Sequence, residues 1–172
     1  MARLFASMVI IAAGVWAWSS AAAFQSDLKN VSSAASDMVR AQDPQTVVAA
    51  LLAGKYKAEL GKDKAGDPMI SSEVAGTRFQ VVFYNCTANK ECATVTFHSG
   101  YAMKNKPAMA VINQWNRSKR FGRAYLDKVD DPVLEMDVDL DDGGLSRALF
   151  LDNLDFWSAI VPQFEKHIGY RK

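Results

Sequence analysis

The chain has 172 residues, of which 49% are hydrophobic and 23% are charged, with 20 Lys+Arg against 19 Asp+Glu. Because the charges nearly balance, the protein has no overall positive electrostatic field that would attract nucleic acid or anionic lipid. Residues 24–172 are long enough to bury roughly two thirds of their surface, so we expect one soluble globular domain.

The first 23 residues have the pattern of a secretory signal peptide. Arg3 supplies a positive charge, an apolar run extends from Leu4 to Trp18, and small residues lead to an A-x-A site ending at Ala23. The run is shorter than the roughly 20 apolar residues of a membrane span. We therefore expect cleavage near Ala23, a periplasmic or secreted protein, and no stable membrane insertion of the mature chain.

The next elements are a lead-in, a helix and two strands. Residues 24–43 are small and polar, and we interpret them as a lead-in segment. A helix is predicted from Asp43, an N-cap followed by a first-turn proline, to Gly54. Short strands are predicted at residues 56–60 and 69–74.

Residues 79–85 and 93–99 alternate apolar and polar side chains, as the strands of a hairpin do. Placing Cys86 opposite Cys92 also aligns the apolar faces, and opposed Cα atoms lie roughly 4.5 to 5.5 Å apart, within disulfide range. The resulting pairs are Phe83 with Val95 and Val81 with Phe97. Because an exported chain meets oxidising conditions, we expect a structural disulfide. A redox pair, or a metal site with His98, is disfavoured because the C-x-x-C spacing is missing and His98 points away from the core face.

A second predicted helix begins at Pro107 and presents one apolar face. Strands at 120–127 and 133–141 follow. A final helix from about residue 145 carries a continuous apolar stripe, and Pro162 is expected to kink or split it. The order α-β-β-β-β-α-β-β-α, without repeated βαβ units, predicts an α+β fold whose antiparallel twisted sheet is covered by helices.

The strand at 133–141 carries a row of carboxylates on one face: Glu135, Asp137, Asp139 and Asp141. Leu134, Met136, Val138 and Leu140 form its predicted core face. Steps of roughly 6.8 Å along the row are too wide for one ion to bridge without a loop. If Leu126 pairs with Leu134, Arg123 lies opposite Asp137 as a countercharge. An EF-hand is excluded because its sixth and twelfth positions would be Asp142 and Ala148.

Several segments together resemble the bacterial YbjN family of sensory transduction regulators. They are Phe83-Tyr-Asn-Cys86 with Cys92, Asn113-Gln-Trp-Asn-Arg117, Arg120-Phe-Gly-Arg-Ala-Tyr-Leu-Asp127 and Pro132-Val-Leu-Glu-Met-Asp137. The resemblance implies a YbjN-like domain at 44–172, similar in fold to type III secretion chaperones, which often dimerise. It carries no established catalytic residues, and implies an exported, non-enzymatic regulatory or chaperone-like module that binds a protein partner or a second copy.

The residues that we single out as a candidate interaction surface are Asn113, Asn116, Arg117, Arg120, Arg123, Glu135, Asp137 and Asp139. A nucleic-acid interface would use four basic residues on phosphates, Arg117, Lys119, Arg120 and Arg123, and Trp115 or Phe121 for base stacking. The balanced charge and the export signal argue against that interpretation.

Catalytic and metal-binding patterns are sparse. The chain has two histidines, His98 and His167, and neither accompanies a nucleophile motif such as G-x-S-x-G. His167 falls in the last turn of the final helix, where an exposed side chain is favoured by the helix dipole. We therefore expect a protein that is not an enzyme and that binds neither a metal ion nor a cofactor. Two alternatives stay open: a calcium-responsive turn at Asp139–Gly143, and an enzyme whose site is assembled from distant segments.

Overall fold

The computed structural model describes residues 37–170, so the predicted signal peptide at 1–23 and the lead-in up to residue 36 lie outside the described residues. The described chain forms helices α1 (Pro44–Ala53), α2 (Met109–Ser118) and α3 (Arg147–His167). Its strands are β1 (Met38–Val39), β2 (Glu59–Lys62), β3 (Pro68–Val74), β4 (Thr77–Tyr84), β5 (Thr94–Gly100), β6 (Arg123–Leu126), β7 (Pro132–Asp139) and β8 (Leu145–Ser146). Within these residues, no helix combines the length and apolar character needed to cross a bilayer.

Six strands form one antiparallel sheet in the order β2-β3-β4-β5-β7-β6. The short strands β1 and β8 pair separately. The predicted α+β class with an antiparallel sheet is confirmed, and the element order matches except for these two short strands. Since β5 pairs with β7, the chain passes through α2 and the edge strand β6 before it forms β7 between β5 and β6.

The helices pack on one face of the six-stranded sheet. Trp157 of α3 lies against Phe79 and Phe97, with ring centroids 5.8 and 5.9 Å apart. The sheet residues of the hydrophobic core all belong to this face: Ile70, Val74, Phe79, Val81, Phe83, Val95, Phe97, Ala124, Leu134, Met136 and Val138. Because side chains alternate along a strand, the intervening ones form the opposite side, called here the open face, where Arg78 and Tyr84 are exposed.

The hairpin of β4 and β5 has the predicted register, with Phe83 opposite Val95 and Val81 opposite Phe97. The Cys86–Cys92 disulfide is present. Its Cα atoms lie 3.8 Å apart, closer than in a regular ladder. The connection is irregular there, since Asn85, Ala88, Asn89 and Glu91 all have positive φ.

Helix α3 runs without a break through Pro162, so the expectation that this proline could split the helix is wrong. A proline inside a helix costs about 3 kcal/mol or more. The helix buries Phe150, Leu154, Trp157 and Phe164 completely, and each such side chain contributes about 1.5 to 3 kcal/mol. Burial of the stripe therefore outweighs the local penalty.

The end of the predicted lead-in packs against the domain. Val39 and Ala41 are buried. The Thr46 hydroxyl of α1 accepts a hydrogen bond from the Arg40 amide at 2.8 Å and donates one to the Arg40 carbonyl at 3.0 Å. These contacts join residues 37–41 to α1, and the Arg147 amide, which donates to the Asp37 carbonyl at 2.8 Å, joins them to the start of α3.

Candidate functional site

Glu135 of β7 lies on the open face, between strands β5 and β6, and is only 5% exposed. Its Oε1 accepts a hydrogen bond from the Tyr125 hydroxyl at 2.8 Å and lies 3.0 Å from His98 Nδ1. Its Oε2 accepts a hydrogen bond from the Arg123 guanidinium at 2.6 Å. A buried carboxylate is costly unless it is paired and hydrogen-bonded, and here both oxygens are.

The register of β6 against β7 differs from the prediction by two residues. Arg123 lies opposite Glu135 instead of Asp137. The observed pairs are Leu126 with Pro132, Ala124 with Leu134 and Arg123 with Glu135. The connection is tight, because the Asp127 amide donates to the Asp131 carbonyl and the Asp131 amide donates to Asp127 Oδ1, at 2.9 and 2.8 Å. A short turn of this kind fixes the register.

The acidic row of β7 is therefore not uniform. Its apolar side is buried as predicted, at Leu134, Met136, Val138 and Leu140. On the other side Glu135 is buried, whereas Asp137 and Asp139 are exposed. Asp137 Oδ1 accepts a hydrogen bond from the Thr96 hydroxyl at 2.6 Å, and Asp139 Oδ1 accepts one from the Asp141 amide at 3.0 Å.

An open, shallow groove lies over this cluster and is called here the Glu135 groove. It is lined by Tyr84, Asn85, Thr94, Thr96, Arg123, Tyr125, Glu135 and Asp137. Burial raises the pKa of Tyr125 to about 12, and the hydrogen bond to Glu135 adds to the effect. Burial also raises the pKa of Tyr84, and the negative charges of Glu135 and Asp137 raise it further, whereas Arg123 opposes them.

The predicted surface residues near α2 lie outside the lining of this groove. Asn116 has a structural role, because its side chain accepts from the Ala124 amide at 2.8 Å and donates to the Ala124 carbonyl at 2.9 Å. These bonds satisfy one residue of the edge strand β6, which would otherwise offer free backbone groups. Asn113 and Arg117 are exposed on α2. Arg120 follows α2, and its guanidinium carbon lies 5.4 Å from the centroid of a phenylalanine ring, that of Phe121.

The expectation of an exposed His167 is wrong. Its Nε2 lies 2.8 Å from the Val111 carbonyl, and its ring centroid is 5.6 Å from that of Trp115. The packing of Trp115 against Phe164, at 5.0 Å between centroids, brings the last turn of α3 onto α2. His167 is therefore half-buried between two helices.

Among residues 37–170, no group of three or more His, Cys, Asp or Glu side chains is placed to hold a metal ion. In the acidic turn the polar groups bind one another, since the Asp142 amide donates to Asp141 Oδ1 at 2.9 Å and the Gly144 amide donates to the Asp141 carbonyl at 3.1 Å. The turn geometry thus gives no support to the calcium alternative.

Sequence reasoning missed five groove residues: Tyr84, Asn85, Thr94, Thr96 and Tyr125. It also missed the contact of His98 with Glu135. Strand alternation already placed His98 on the side away from the core. The missing information was the pairing of β5 with β7, which brings His98 directly opposite Glu135.

A comparison with protein families identifies a match over most of the chain. The YbjN family model, described as "Putative bacterial sensory transduction regulator", matches residues 43–169, which include the six-stranded sheet, the three helices and the Glu135 groove. No curated protein and no solved structure is significantly similar to the chain. The family description is that of a regulator and supports a regulatory or interaction module. Because the match spans most of the sequence, the chain belongs to the YbjN family.

Proposed function

We propose that this chain is an exported, non-enzymatic regulatory module that binds a protein partner through the open face of its sheet, at the Glu135 groove. The observation that carries the proposal is the cluster of Glu135, Arg123, Tyr125 and His98 on the side of the sheet opposite the core. A buried ion pair is weak support for stability, because apolar residues of similar size often serve as well. A fixed polar cluster beneath exposed side chains is better suited to recognition.

The groove has the composition of a binding surface. Its exposed members include Tyr84, at 46% exposure, and Arg123, whose side chain is 65% exposed. Tyrosine and arginine are among the residues that most often dominate binding energy at protein interfaces. Their neighbours are polar, so the groove favours one specific partner. A chaperone would instead require a surface that captures unfolded apolar chains in general.

Export is supported by the N-terminal pattern and by the use of both mature cysteines in the Cys86–Cys92 disulfide, since disulfides persist in oxidising compartments. Mass analysis of the protein from periplasmic and culture fractions should give a mature chain that begins near residue 24. Addition of reductant and a thiol-alkylating agent should then label two cysteines. An uncleaved chain in the cytoplasm with free thiols would contradict export.

Site-specific photo-crosslinking tests the binding face. A benzophenone amino acid replaces Tyr84 in the groove or, as the matched control, Leu149 on α3, which is 47% exposed. We expect a discrete protein adduct in native cells from position 84 and none from position 149. The reverse pattern would refute the proposal. An adduct with a second copy would assign the partner as this chain itself, and sedimentation would then have to show a dimer.

A further inference from the structure

We infer that the Glu135 groove receives a cationic side chain of the partner, arginine or lysine, between Tyr84 and Asp137. This inference deepens the proposed function and rests on it.

The open face already shows how it holds a guanidinium group. Arg123 donates to Glu135 Oε2 at 2.6 Å, and its guanidinium carbon lies 5.7 Å from the centroid of the Tyr125 ring. A carboxylate together with an aromatic ring is a favourable environment for a cation. Arg123 comes from β6, next to β7, so one internal arginine occupies one end of the groove.

The groove offers the same chemical groups a second time, without a paired internal cation. Tyr84 of β4 and Asp137 of β7 line it on either side of β5, and both are exposed. Within residues 37–170, no lysine, arginine or histidine forms an ion pair with Asp137, which accepts a hydrogen bond from the Thr96 hydroxyl. The tyrosine ring and the carboxylate are thus both accessible to a side chain that arrives from outside.

The charges around Tyr84 favour a cation. Burial is the main cause of the raised Tyr84 pKa; the carboxylates of Glu135, Asp137 and Asp63, the last from the turn between β2 and β3, raise it further, whereas Arg123 lowers it. The carboxylates that act on this ring therefore outnumber the guanidinium. Charge complementarity of this kind selects partners at an interface and excludes those of the same sign.

Other occupants agree less well with these groups. An anion would face the carboxylates of Glu135 and Asp137, and the charge of Arg123, the cation in the groove lining, is already balanced by Glu135. An apolar side chain would cover the Asp137 carboxylate without supplying a hydrogen-bond donor, which is costly. A metal ion would need several converging ligands, which the described residues do not provide.

The probe for this subsite is the capped tripeptide acetyl-Gly-Arg-Gly-amide, titrated into the mature protein by NMR. The matched peptide replaces arginine with citrulline, which has nearly the same shape and no charge; a third peptide carries glutamate. We expect the arginine peptide to shift the Tyr84 and Thr96 signals saturably, whereas the citrulline and glutamate peptides should not. Equal shifts with arginine and citrulline would overturn the inference.

Two variants test the carboxylate directly. Asp137→Asn should weaken binding of the arginine peptide about five- to tenfold, because a charge-assisted hydrogen bond becomes a neutral one. Asp155→Asn removes an exposed carboxylate from α3 and should leave binding unchanged. Equal weakening by both variants would mean that the peptide responds only to net charge, which refutes a subsite at Asp137. Near-ultraviolet circular dichroism should show that both variants keep the native fold.

The crosslinking experiment separates the two proposals. Loss of the adduct from position 84 when Asp137→Asn is introduced supports the cationic contact. An undiminished adduct in that variant overturns the cationic contact and leaves binding at the open face intact. If the parent protein gives no adduct from position 84, the proposed function fails, and the peptide titration still decides whether the subsite prefers a cation.

Discussion

Replacing Arg123 with methionine should destabilise the protein, because it leaves Glu135 buried without its guanidinium partner. The side chain of Glu135 is 6% exposed, whereas that of Arg123 is 65% exposed. Methionine keeps much of the aliphatic length of arginine, so the change removes mainly the charge and the hydrogen-bond donors. The perturbation thus isolates the dependence of the carboxylate on its cation.

The size of the effect follows from this difference in exposure. Removing one partner of a fully buried ion pair costs about 3 to 5 kcal/mol, and a hydrogen bond to a charged group contributes about 1.5 to 3 kcal/mol. The lower of these two ranges applies here, because the Arg123 side chain is exposed to water and because Tyr125 and His98 still contact the Glu135 carboxylate. We therefore expect the free energy of unfolding to fall by about 1.5 to 3 kcal/mol.

Urea unfolding at pH 7 with the disulfide intact measures this loss, followed by the fluorescence of the buried Trp115 and Trp157. Arg120→Met is the matched control, since its guanidinium lies over a phenylalanine ring, and it should change stability by less than about 0.5 kcal/mol. In a double-mutant cycle with Glu135→Gln, the two losses should be less than additive by about 1 to 2 kcal/mol. Similar losses for Arg123→Met and Arg120→Met, or strict additivity in the cycle, would refute the reasoning.

The edge strand, the glycine turn and Tyr125 give three further tests. Asn116→Ala removes both bonds to Ala124 and should cost about 1 to 3 kcal/mol, with faster amide exchange at Ala124; unchanged exchange would contradict this role. Gly144→Ala should cost more than about 2 kcal/mol, because its Cβ would lie 2.1 Å from a backbone oxygen of β1. A Cβ at Gly143 would meet no neighbouring atom, so Gly143→Ala should cost about 1 kcal/mol, from its positive φ alone. Equal losses for the two glycine variants would exclude a clash at Gly144. The contribution of the protonated Tyr125 hydroxyl to the free energy of unfolding should be fully present below about pH 10 and lost as the pH rises towards the Tyr125 pKa of about 12. An ultraviolet titration should therefore show one late-ionising tyrosine fewer in Tyr125→Phe. An unchanged number of late-ionising tyrosines would contradict this.

The local elements could be predicted because the signals that specify them lie close together in the chain. Helix α1 begins after Asp43, whose side chain accepts a hydrogen bond from the Gln45 amide, and its C-cap is Gly54. The hairpin register followed from the alternation of apolar residues together with the position of the two cysteines. For β7, the buried side of the strand followed from the same period of two.

The Glu135 groove could not be predicted, because it depends on contacts between distant segments. The pairing of β5 with β7 brings residues 98 and 135 together after an intervening helix and strand. The shift of β6 by two residues preserves the alternation of faces, so the apolar pattern is the same in either register. Only the turn between β6 and β7 decides which carboxylate Arg123 meets.

The amino-acid sequence by itself determined the fold class, the disulfide hairpin and the resemblance to the YbjN family, because helix caps, strand alternation and family motifs are local features. The tertiary structure decided that Glu135 is buried beside Arg123, Tyr125 and His98, whereas Asp137 stays exposed. The physical reason is that the carboxylates along one strand have different neighbours across the sheet. Those neighbours are set by strand order and register, which short-range patterns do not specify.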